Sequence, residues 1–400
     1  MYDAIVVGAR CAGAPTAMLL ARQGHRVLLV DHASFPSDTL STHVIYPWGV
    51  ARLTHWGLID AVIASGAPPV RTLSFDFGAV TITGAPPPVE GNGISYAPRR
   101  TVLDKILVDA AAAAGAEVRE RFSVDEVLIE DGTVVGIKGH GAGGAPVVER
   151  ARVVIGADGR NSYVARTVGP DSYHEKPVLQ WAYYTYWRDL PVDGFEIFVR
   201  PDRGFAAVST NDDLTMLVVG WPMAERDAYR ADIEANYLKT LDLVPAFADR
   251  VRAATRVERF AGGGVANYFR QPYGPGWVLI GDAGYSKDPI TAQGISDAFR
   301  DAQRCADTLD AFFRGGCTFE DGMAAYQEER DTAALPMYGF TTQLATLEPP
   351  PPEMQQLLGA VAGNQAAMDG FVGVTAGTVS PEQFFHPDHI GQIFASAASQ

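Results

Sequence analysis

The sequence predicts an α/β fold in three parts: a parallel sheet flanked by helices, a separate and mostly antiparallel sheet, and a helical C-terminal region. The chain opens with an apolar strand, a glycine-rich turn, a helix and a second apolar strand, and such a βαβ unit requires a parallel sheet. Residues 178–220 are rich in β-branched and aromatic residues, which is typical of antiparallel strands. From residue 297 onward, helical patterns dominate.

The composition bounds the class of protein. Four hundred residues, of which 47% are hydrophobic and 20% charged, predict two or three globular domains with a sizeable core. A formal charge of -15 argues against a nucleic-acid partner, because binding to phosphates requires a basic face. The oligomeric state stays open.

The cysteines and the apolar segments indicate a compartment. Three cysteines without CxxC or histidine-rich spacing argue against a metal site and a disulfide framework, so we expect a reduced, cytoplasmic protein. The first strand runs directly into the glycine turn, so we expect no signal peptide. No apolar run reaches the length of a transmembrane segment.

Local patterns predict the elements of the first half of the chain. Gly24 ends the first helix, and Gly57 interrupts the next helical pattern. Asp131 and Gly132 form a hairpin turn within a β-meander. The expected elements are strands at 3–8, 26–30, within 71–83, at 118, 124–129, 134–137 and 153–156, and helices at 14–23, 50–65 and 101–114.

The second half is expected to hold the antiparallel strands of residues 178–220, a helical stretch at 225–256 and a buried strand before Gly281. Long helices at 297–313 and 321–347 end at the proline run 349–352. The tail is expected to be helical and docked, because four phenylalanines need burial. They are Phe371, Phe384, Phe385 and Phe394.

The first turn carries a nucleotide-binding fingerprint. In Gly8-Ala-Arg10-Cys-Ala-Gly13, the first glycine makes the tight turn and the last lets helix pack on strand, while Asp31 ends the second strand. This is the pattern of a Rossmann unit, in which a pyrophosphate rests on the helix N-terminus and the acidic residue binds a ribose. Arg10 replaces the middle glycine, and we hypothesise that its guanidinium joins the pyrophosphate contact. Asp31 favours an unphosphorylated ribose, as in FAD or NAD; a plain strand–turn–helix is the alternative.

Two more strand ends carry carboxylates. Asp158 follows the buried strand at 153–156, and Ser162 caps the next helix, although a simple capped turn would also have this pattern. Asp282 follows the apolar run 278–281, and Gly294 opens a helix after a loop that contains Pro289. A carboxylate there can accept hydrogen bonds from a ribityl chain, and free N–H groups at a helix start can receive the negative charge of a reduced flavin ring.

In this order and spacing, the three motifs resemble those of the FAD-dependent class A flavoprotein monooxygenases of the para-hydroxybenzoate hydroxylase type. They also resemble those of the related flavin halogenases and geranylgeranyl reductases. The resemblance covers about residues 1 to 330 and implies an enzyme with FAD as cofactor. It implies that the ADP half is bound by Gly8, Gly13 and Asp31, the ribityl chain by Asp282, and the ring by the backbone of Gly294 and Ile295 with Pro289 beside it. Asp158 belongs to a motif associated with FAD and the pyridine nucleotide, and Arg100 matches an FAD-contacting arginine, with a solvated helix start as the alternative.

The resemblance also implies a division of the chain. A discontinuous FAD-binding domain would comprise residues 1–70, 97–175 and 263–325. A substrate domain would comprise residues 71–96 and 176–262, and a helical C-terminal region residues 326–400.

Two candidate catalytic residues follow. Lys287, where the family often has an apolar residue, would steady an anionic flavin or bind a substrate carboxylate; exposure on the loop is the alternative. His43 would reach the ring or act as general base for a phenol; a structural histidine is the alternative. The family's late motif also departs at Tyr285 and Ser296, where histidine and asparagine are common, so the substrate type stays open.

The resemblance leaves three reactions. The leading expectation is an NAD(P)H- and O2-dependent monooxygenase of secondary metabolism, which hydroxylates an aromatic or polyketide-like molecule through a C4a-hydroperoxyflavin. Reduction of an alkene or prenyl substrate is the alternative. Halogenation is the third and least favoured reaction, because residues 203–210 lack the Trp-x-Trp-x-Ile-Pro signature of halogenases. The Phe-Pro signature of the prenyl reductases is also missing there. An NAD-only dehydrogenase and a non-enzymatic FAD-binding sensor are the remaining rivals.

Two further expectations concern the ligands. Aromatic residues alternate along the strand expected at 180–187. We expect those on one face either to line an apolar substrate pocket over the flavin or to belong to the core of the sheet. A second nucleotide fingerprint is absent, so the nicotinamide docks transiently or a separate reductase supplies electrons.

Overall fold

The computed structural model describes residues 1–398. Within them, no helix has the length and apolar character needed to cross a membrane. Nor do they hold a group of three histidine, cysteine or acidic side chains placed to bind a metal ion.

The strands are, in chain order, β1 (Tyr2–Val7), β2 (Val27–Val30), β3 (Pro69–Val70), β4 (Leu73–Asp76), β5 (Thr81–Gly84), β6 (Ser95–Tyr96), β7 (Glu117–Arg119), β8 (Ser123–Glu130), β9 (Thr133–His140), β10 (Pro146–Gly156), β11 (Ser172–Lys176), β12 (Gln180–Arg188), β13 (Phe195–Arg200), β14 (Arg203–Ser209), β15 (Leu214–Pro222), β16 (Thr255–Arg256), β17 (Ala261–Gly263), β18 (Asn267–Arg270), β19 (Tyr273–Gly274), β20 (Trp277–Leu279) and β21 (Tyr285–Ser286).

The α-helices are α1 (Gly13–Arg22), α2 (Pro47–His55), α3 (Ile59–Ala64), α4 (Arg100–Ala113), α5 (Tyr163–Val168), α6 (Arg226–Ala231), α7 (Ile233–Leu241), α8 (Pro245–Ala253), α9 (Gly294–Phe313), α10 (Phe319–Leu344), α11 (Pro352–Ala362), α12 (Gln365–Ala376), α13 (Pro381–Phe384) and α14 (Pro387–Ala397). Short 3-10 turns cover Met223–Glu225, Gly281–Ala283 and Pro289–Thr291.

The first sheet has the order β19-β20-β10-β1-β2-β7, in which β20, β10, β1, β2 and β7 run parallel. Its register aligns the strand ends: Val7 pairs with both Val30 and Gly156, and Gly156 pairs with Leu279. The residues that follow these strands therefore meet at one edge of the sheet, which is where open α/β sheets bind ligands.

The second sheet has the order β16-β12-β15-β14-β13-β4-β5, with β17 also paired to β12. All of its pairings are antiparallel except β13 with β4. This confirms the α/β class with a separate, mostly antiparallel sheet. One face of the sheet, including Tyr183 and Trp221, packs on residues of α7 and α8, and the opposite face, including Tyr186, packs on residues of the C-terminal helices.

The C-terminal tail is helical, as predicted, and most of its aromatic residues are docked. Phe371 and Phe384 are buried and Phe385 is half-buried, but Phe394 is 40% exposed. The expectation that Phe394 is buried is therefore wrong. α14 turns Ile393 inward, and the next residue lies about 100° further round the helix, on the solvent side.

Two expected helices are divided. The pattern at 50–65 forms α2 and α3, because Gly57 takes a positive φ of +73° between them. The stretch at 225–256 forms α6, α7 and α8, since Asp232 adopts an extended backbone and caps α7 with its side chain. The predicted hairpin turn at Asp131 and Gly132 joins β8 to β9.

Candidate functional site

The glycine turn after β1 closes around backbone that leaves no space for a side chain. Gly8 has a φ of +101°, and a Cβ there would lie 2.4 Å from the carbonyl oxygen of Ala157. A Cβ on Gly13 would lie 1.8 Å from the carbonyl oxygen of Gly8. Both glycines are therefore required by the approach of α1 to the turn and by the adjacent end of β10.

Asp31 binds this turn from the end of β2. Its buried carboxylate accepts hydrogen bonds from the Ala9 N–H at 2.7 Å and the Ala33 N–H at 2.8 Å. Each carboxylate oxygen has more than one acceptor position, so both can still accept from hydroxyl groups of a ligand.

A carboxylate that the sequence analysis missed joins two arginines. Asp104, on α4, is fully buried; one oxygen lies 2.5 Å from Arg10 Nη1 and the other 3.0 Å from Arg100 Nε. Arg10 also donates to the Ser37 Oγ at 3.0 Å. The available signal was an acid four residues after Arg100 on a predicted helix, which is the spacing of an intrahelical ion pair.

Asp158 is engaged by the start of α5. Its oxygens accept from the Ser162 hydroxyl at 2.5 Å and the Tyr163 N–H at 2.6 Å, and Ser162 caps the helix by accepting from the Ala165 N–H. The geometry is that of a capped turn, and it places the backbone of Asp158 against Gly8. Asp158 therefore shapes the glycine turn from the neighbouring strand.

Asp282 and Gly294 are the exposed points of otherwise buried segments. Asp282 is exposed although Gly281 and residues 283–286 are buried, and Gly294 is exposed within the buried run 291–299. A Cβ on Gly294 would meet no atom within 4 Å. The two residues thus present accessible surface between buried segments, and we call the surface formed by Gly8, Asp31, Arg100, Asp282 and Gly294 the cradle.

The electrostatics of Asp282 agree with an enclosed position. The surrounding protein desolvates the carboxyl group and raises its pKa above the ordinary value, while Arg100 and Arg160 oppose this shift. Arg100 therefore lies close enough to influence Asp282 while it pairs with Asp104. The cradle combines the carboxylates of Asp31 and Asp282 with nearby guanidinium groups and the N-terminus of α9.

The loop with Pro289 is held to the second sheet. Asp288 accepts from the Gln180 amide at 2.5 Å and from the Ile290 N–H at 3.0 Å, and its own N–H donates to Asn267 Oδ1 at 2.7 Å. Burial raises the pKa of Asp288 to about 7. Pro289 lies in the 3-10 turn that leads to Gly294.

Lys287 is not exposed on the loop. Only 5% of its side chain is accessible, and it forms an ion pair with Asp297 and a hydrogen bond of 2.7 Å to the Tyr285 hydroxyl. The other Asp297 oxygen lies 3.3 Å from Arg300. The charge of Lys287 is thus compensated beside the start of α9.

His43 is buried and held by an aromatic partner. It has a positive φ of 62°, and its Nε2 lies 2.5 Å from the Tyr186 hydroxyl. The Arg99 guanidinium stacks over the Tyr186 ring at 4.3 Å. Burial, with Arg100 and Arg99, lowers the pKa of His43 to about 3, so the imidazole is neutral at neutral pH.

The strand ends thus bring together Gly8, Asp31, Asp158 and Asp282, while α4 brings Arg100. The arrangement suits a long ligand with a negatively charged linker and a polyhydroxyl chain. The family model described as "FAD binding domain" matches residues 1–341. The chain belongs to this FAD-binding family. FAD is therefore its cofactor, and the chain is an FAD-dependent oxidoreductase.

Curated relatives match most of the chain. The "Digeranylgeranylglycerophospholipid reductase 1" of Methanopyrus kandleri is 32% identical over 311 residues, which cover 74% of this chain and 77% of that protein. The "Digeranylgeranylglycerophospholipid reductase" of Methanocella arvoryzae is 27% identical over 340 residues, 82% of each chain.

Solved structures share the fold across almost the whole chain. The myxobacterial chondrochloren halogenase CndH has a TM-score of 0.81 at 22% identity and covers 99% of this chain and 96% of its own. PqsL from Pseudomonas aeruginosa, described as a probable FAD-dependent monooxygenase, has a TM-score of 0.71 at 22% identity and covers 93% and 99%.

Proposed function

We propose that this oxidoreductase reduces carbon–carbon double bonds of an apolar, prenyl-like small molecule. The observation that carries the proposal is the sequence similarity to proteins named digeranylgeranylglycerophospholipid reductases, which covers 74% to 82% of the compared chains. The halogenase and the monooxygenase share the fold at lower identity. This order reverses the expectation from motifs alone, in which hydroxylation led.

We assign the cradle to the cofactor. Gly8, Gly13 and Asp31 would bind the ADP half, with Arg10 and Arg100 near the pyrophosphate. Asp282 would bind the ribityl chain, and the N–H groups of Gly294 and Ile295 the ring, beside Pro289. The support is that Gly294 and Asp282 are accessible while their chain neighbours are buried, and that the Cβ position of Gly294 is open. Lys287 would stabilise negative charge near the ring through its position beside α9, and Asp158 would support the glycine turn.

We assign the role of proton donor in alkene reduction to Tyr186. When bound, FAD supplies hydride transfer, and reduction of an alkene also requires a proton on the second carbon. Burial raises the pKa of the Tyr186 hydroxyl above its usual range, so the group stays protonated. His43 would act as the positioning residue that fixes this hydroxyl.

The state of His43, the partner of Tyr186, argues against hydroxylation of a phenol. The pKa of His43 is lowered to about 3, which makes its imidazole a weak base. A phenol with an ordinary pKa of about 10 would be deprotonated poorly by such a group.

Hydroxylation remains the second candidate because β14 lacks the Phe-Pro signature typical of the prenyl reductases. NAD(P)H, or a separate reductase, would supply the electrons in either reaction.

One experiment separates the candidates. The holoenzyme is reduced without oxygen and mixed with a C20 prenyl alcohol or with members of a phenol and polyketide panel. A reductase reoxidises its flavin with the prenyl compound, and the product gains two hydrogens per reduced bond by mass spectrometry. The experiment is then repeated in air. A product that gains oxygen there, and only from the phenol and polyketide panel, would support hydroxylation in place of reduction. An FAD-binding sensor would transform no compound.

The proton donor is tested with a pair of tyrosines on opposite faces of β12. Tyr186→Phe is expected to lower kcat about 100-fold while the protein keeps its FAD, because a general acid contributes about that factor. Tyr183→Phe, on the face of the sheet that packs against α7 and α8, is the matched control. Its kcat should stay within about twofold of the wild-type value. Equal rates for both variants would remove Tyr186 from the mechanism.

A further inference from the structure

A second cavity lies beside the cradle. It has a volume of about 640 Å³, is open to solvent on one side, and is lined by α2, α9, α10 and residues 377–382. Three arginines line it, Arg52, Arg300 and Arg304, and we call it the arginine cavity. It shares the start of α9 with the cradle, because Ser296 and Asp297 line the cavity and directly follow Gly294 and Ile295.

Two of the arginines have counterions that are shared or exposed to solvent. Arg300 lies 3.3 Å from Asp297, but that carboxylate also pairs with Lys287. Arg304 lies 3.7 Å from Glu329, whose side chain is 66% exposed. Burial and the nearby Arg300 lower the pKa of Arg304.

The third arginine of the lining has a counterion of its own. Arg52 pairs with Glu90, outside the lining, at 2.9 Å. The lining therefore holds three guanidinium groups against the carboxylates of Asp297 and Glu382, and Glu382 is exposed. In a protein of net charge -15, this balance makes the cavity a local site for an anion.

Two buried donors in the lining lack partners in the part of the chain that the structure describes. Ser296 is 2% exposed, and its Oγ has no hydrogen-bond partner. The Arg52 Nε is likewise buried without a partner. Because buried polar groups normally have partners, the wall of the cavity keeps donor capacity that the described part of the protein does not satisfy.

The rest of the wall favours an extended ligand over a small free ion. Pro336, Met337 and Val379 provide apolar surface, and Trp48 lines the cavity with 38% of its area exposed. Guanidinium groups bind phosphate oxygens in paired hydrogen bonds, and an aromatic or apolar body can lie on the remaining surface.

We propose that the arginine cavity binds the phosphate or diphosphate group of a ligand that reacts at the cradle. Two sources share this chemistry: a pyridine nucleotide that brings electrons, and a phosphorylated prenyl substrate. The inference that the cavity binds a phosphate group depends only on the cavity itself. The inference that this ligand reacts at the cradle rests on the proposed function.

The test measures binding without turnover. The oxidised holoenzyme is titrated calorimetrically with inorganic pyrophosphate, with NADPH and NADH, and with a C20 prenyl monophosphate against the corresponding alcohol. Arg304→Gln and Arg300→Gln are each expected to weaken pyrophosphate binding about tenfold, because charge-assisted hydrogen bonds are lost. Arg314→Gln, at the exposed end of the same helix and outside the cavity, is the matched control and should change binding by less than about twofold.

Each outcome decides a separate statement. Absence of pyrophosphate binding at millimolar concentration in the wild type, measured also by ³¹P line broadening so that no variant is needed, overturns the site. Equal weakening by Arg304→Gln and Arg314→Gln overturns its location. NADPH that competes with pyrophosphate assigns the nucleotide, and a prenyl phosphate that competes where the alcohol does not assigns the substrate. If neither compound competes with pyrophosphate, the assignment to a reacting ligand is wrong. Because the test measures no turnover, this result would not decide whether the enzyme reduces alkenes.

Discussion

At the scale of single residues, Asp104 connects the glycine turn to α4. It is fully buried and contacts Arg10, Arg100 and the Cys11 thiol. Removal of its charge leaves two guanidinium groups near the cradle without their principal counterion, and breaking a buried pair in this way costs about 3 kcal/mol. We expect Asp104→Asn to lower the free energy of unfolding by about that amount, measured by urea denaturation, and to weaken FAD binding.

The control for Asp104 lies on the same helix. Asp109 pairs with Lys105 at the surface, and exposed pairs at this spacing contribute about 0.5 kcal/mol or less. Asp109→Asn should therefore leave both stability and FAD affinity nearly unchanged. If the two variants behave alike, the buried cluster has no special role in the cradle.

Gly294 allows a test of cofactor position that is separate from folding. Its Cβ position has no protein atom within 4 Å, so Gly294→Val directs methyl groups into the space where we assign the flavin ring. We expect the apoprotein to unfold at an unchanged denaturant concentration, whereas FAD affinity, measured by fluorescence titration, falls about tenfold or more.

Gly359, in the middle of α11, supplies the matched control. A Cβ there also meets no atom within 4 Å, and this helix is not part of the cradle. Gly359→Val should leave FAD affinity unchanged. A Gly294→Val protein that binds FAD as tightly as this control would place the ring elsewhere.

At the scale of elements, the loop between β21 and α9 is joined to β12 through Asp288 and Gln180. Because the pKa of Asp288 is raised to about 7 in the folded protein, the folded state binds a proton that the unfolded chain releases above a pKa of about 3.9. This contribution is fully present below the unfolded pKa and is lost as the pH rises through 7.

The prediction compares Asp288→Asn with the wild type across pH. The neutral amide removes this titration, so the stability of the variant relative to wild type should rise by about 2–3 kcal/mol between pH 5 and pH 8. Urea denaturation at unit steps of pH measures it, with Asp109→Asn as a control that shows no such trend. A difference that is flat with pH would mean that Asp288 is ionised in the folded protein throughout.

The elements and strand ends of the cradle were predictable from sequence because their signals are local. The turn at Gly8 and Gly13 and the start of α9 at Gly294 follow from short-range patterns of glycines and apolar residues. The pairing of Tyr186 with His43 was not predictable, since these partners meet only when the second sheet packs beside the first. The pairing of Lys287 with Asp297 was not predictable either, because it depends on how the loop between them folds back onto α9. Phe394 shows the same limit within one helix, because its apolar side chain does not reveal which face of α14 is covered.

At the scale of the whole molecule, the C-terminal helices form one core with the second sheet. The Phe371 ring packs edge-on against Phe75 of β4 at 5.5 Å and against Phe384 at 5.9 Å. Asp288 ties that sheet to the loop beside the cradle. Damage to the C-terminal core should therefore reach the cofactor through shared stability.

The last prediction compares two phenylalanines of the tail. Phe371→Ala removes a buried ring and should cost about 3–4 kcal/mol, whereas Phe394→Ala, at an exposed position, should cost less than about 0.5 kcal/mol. Unfolding is followed in parallel by far-UV circular dichroism and by release of FAD fluorescence. We expect Phe371→Ala to shift both transitions together, because the helices and the sheets unfold as one unit. A shift in circular dichroism with no change in FAD release would instead make the C-terminal helices an independent unit.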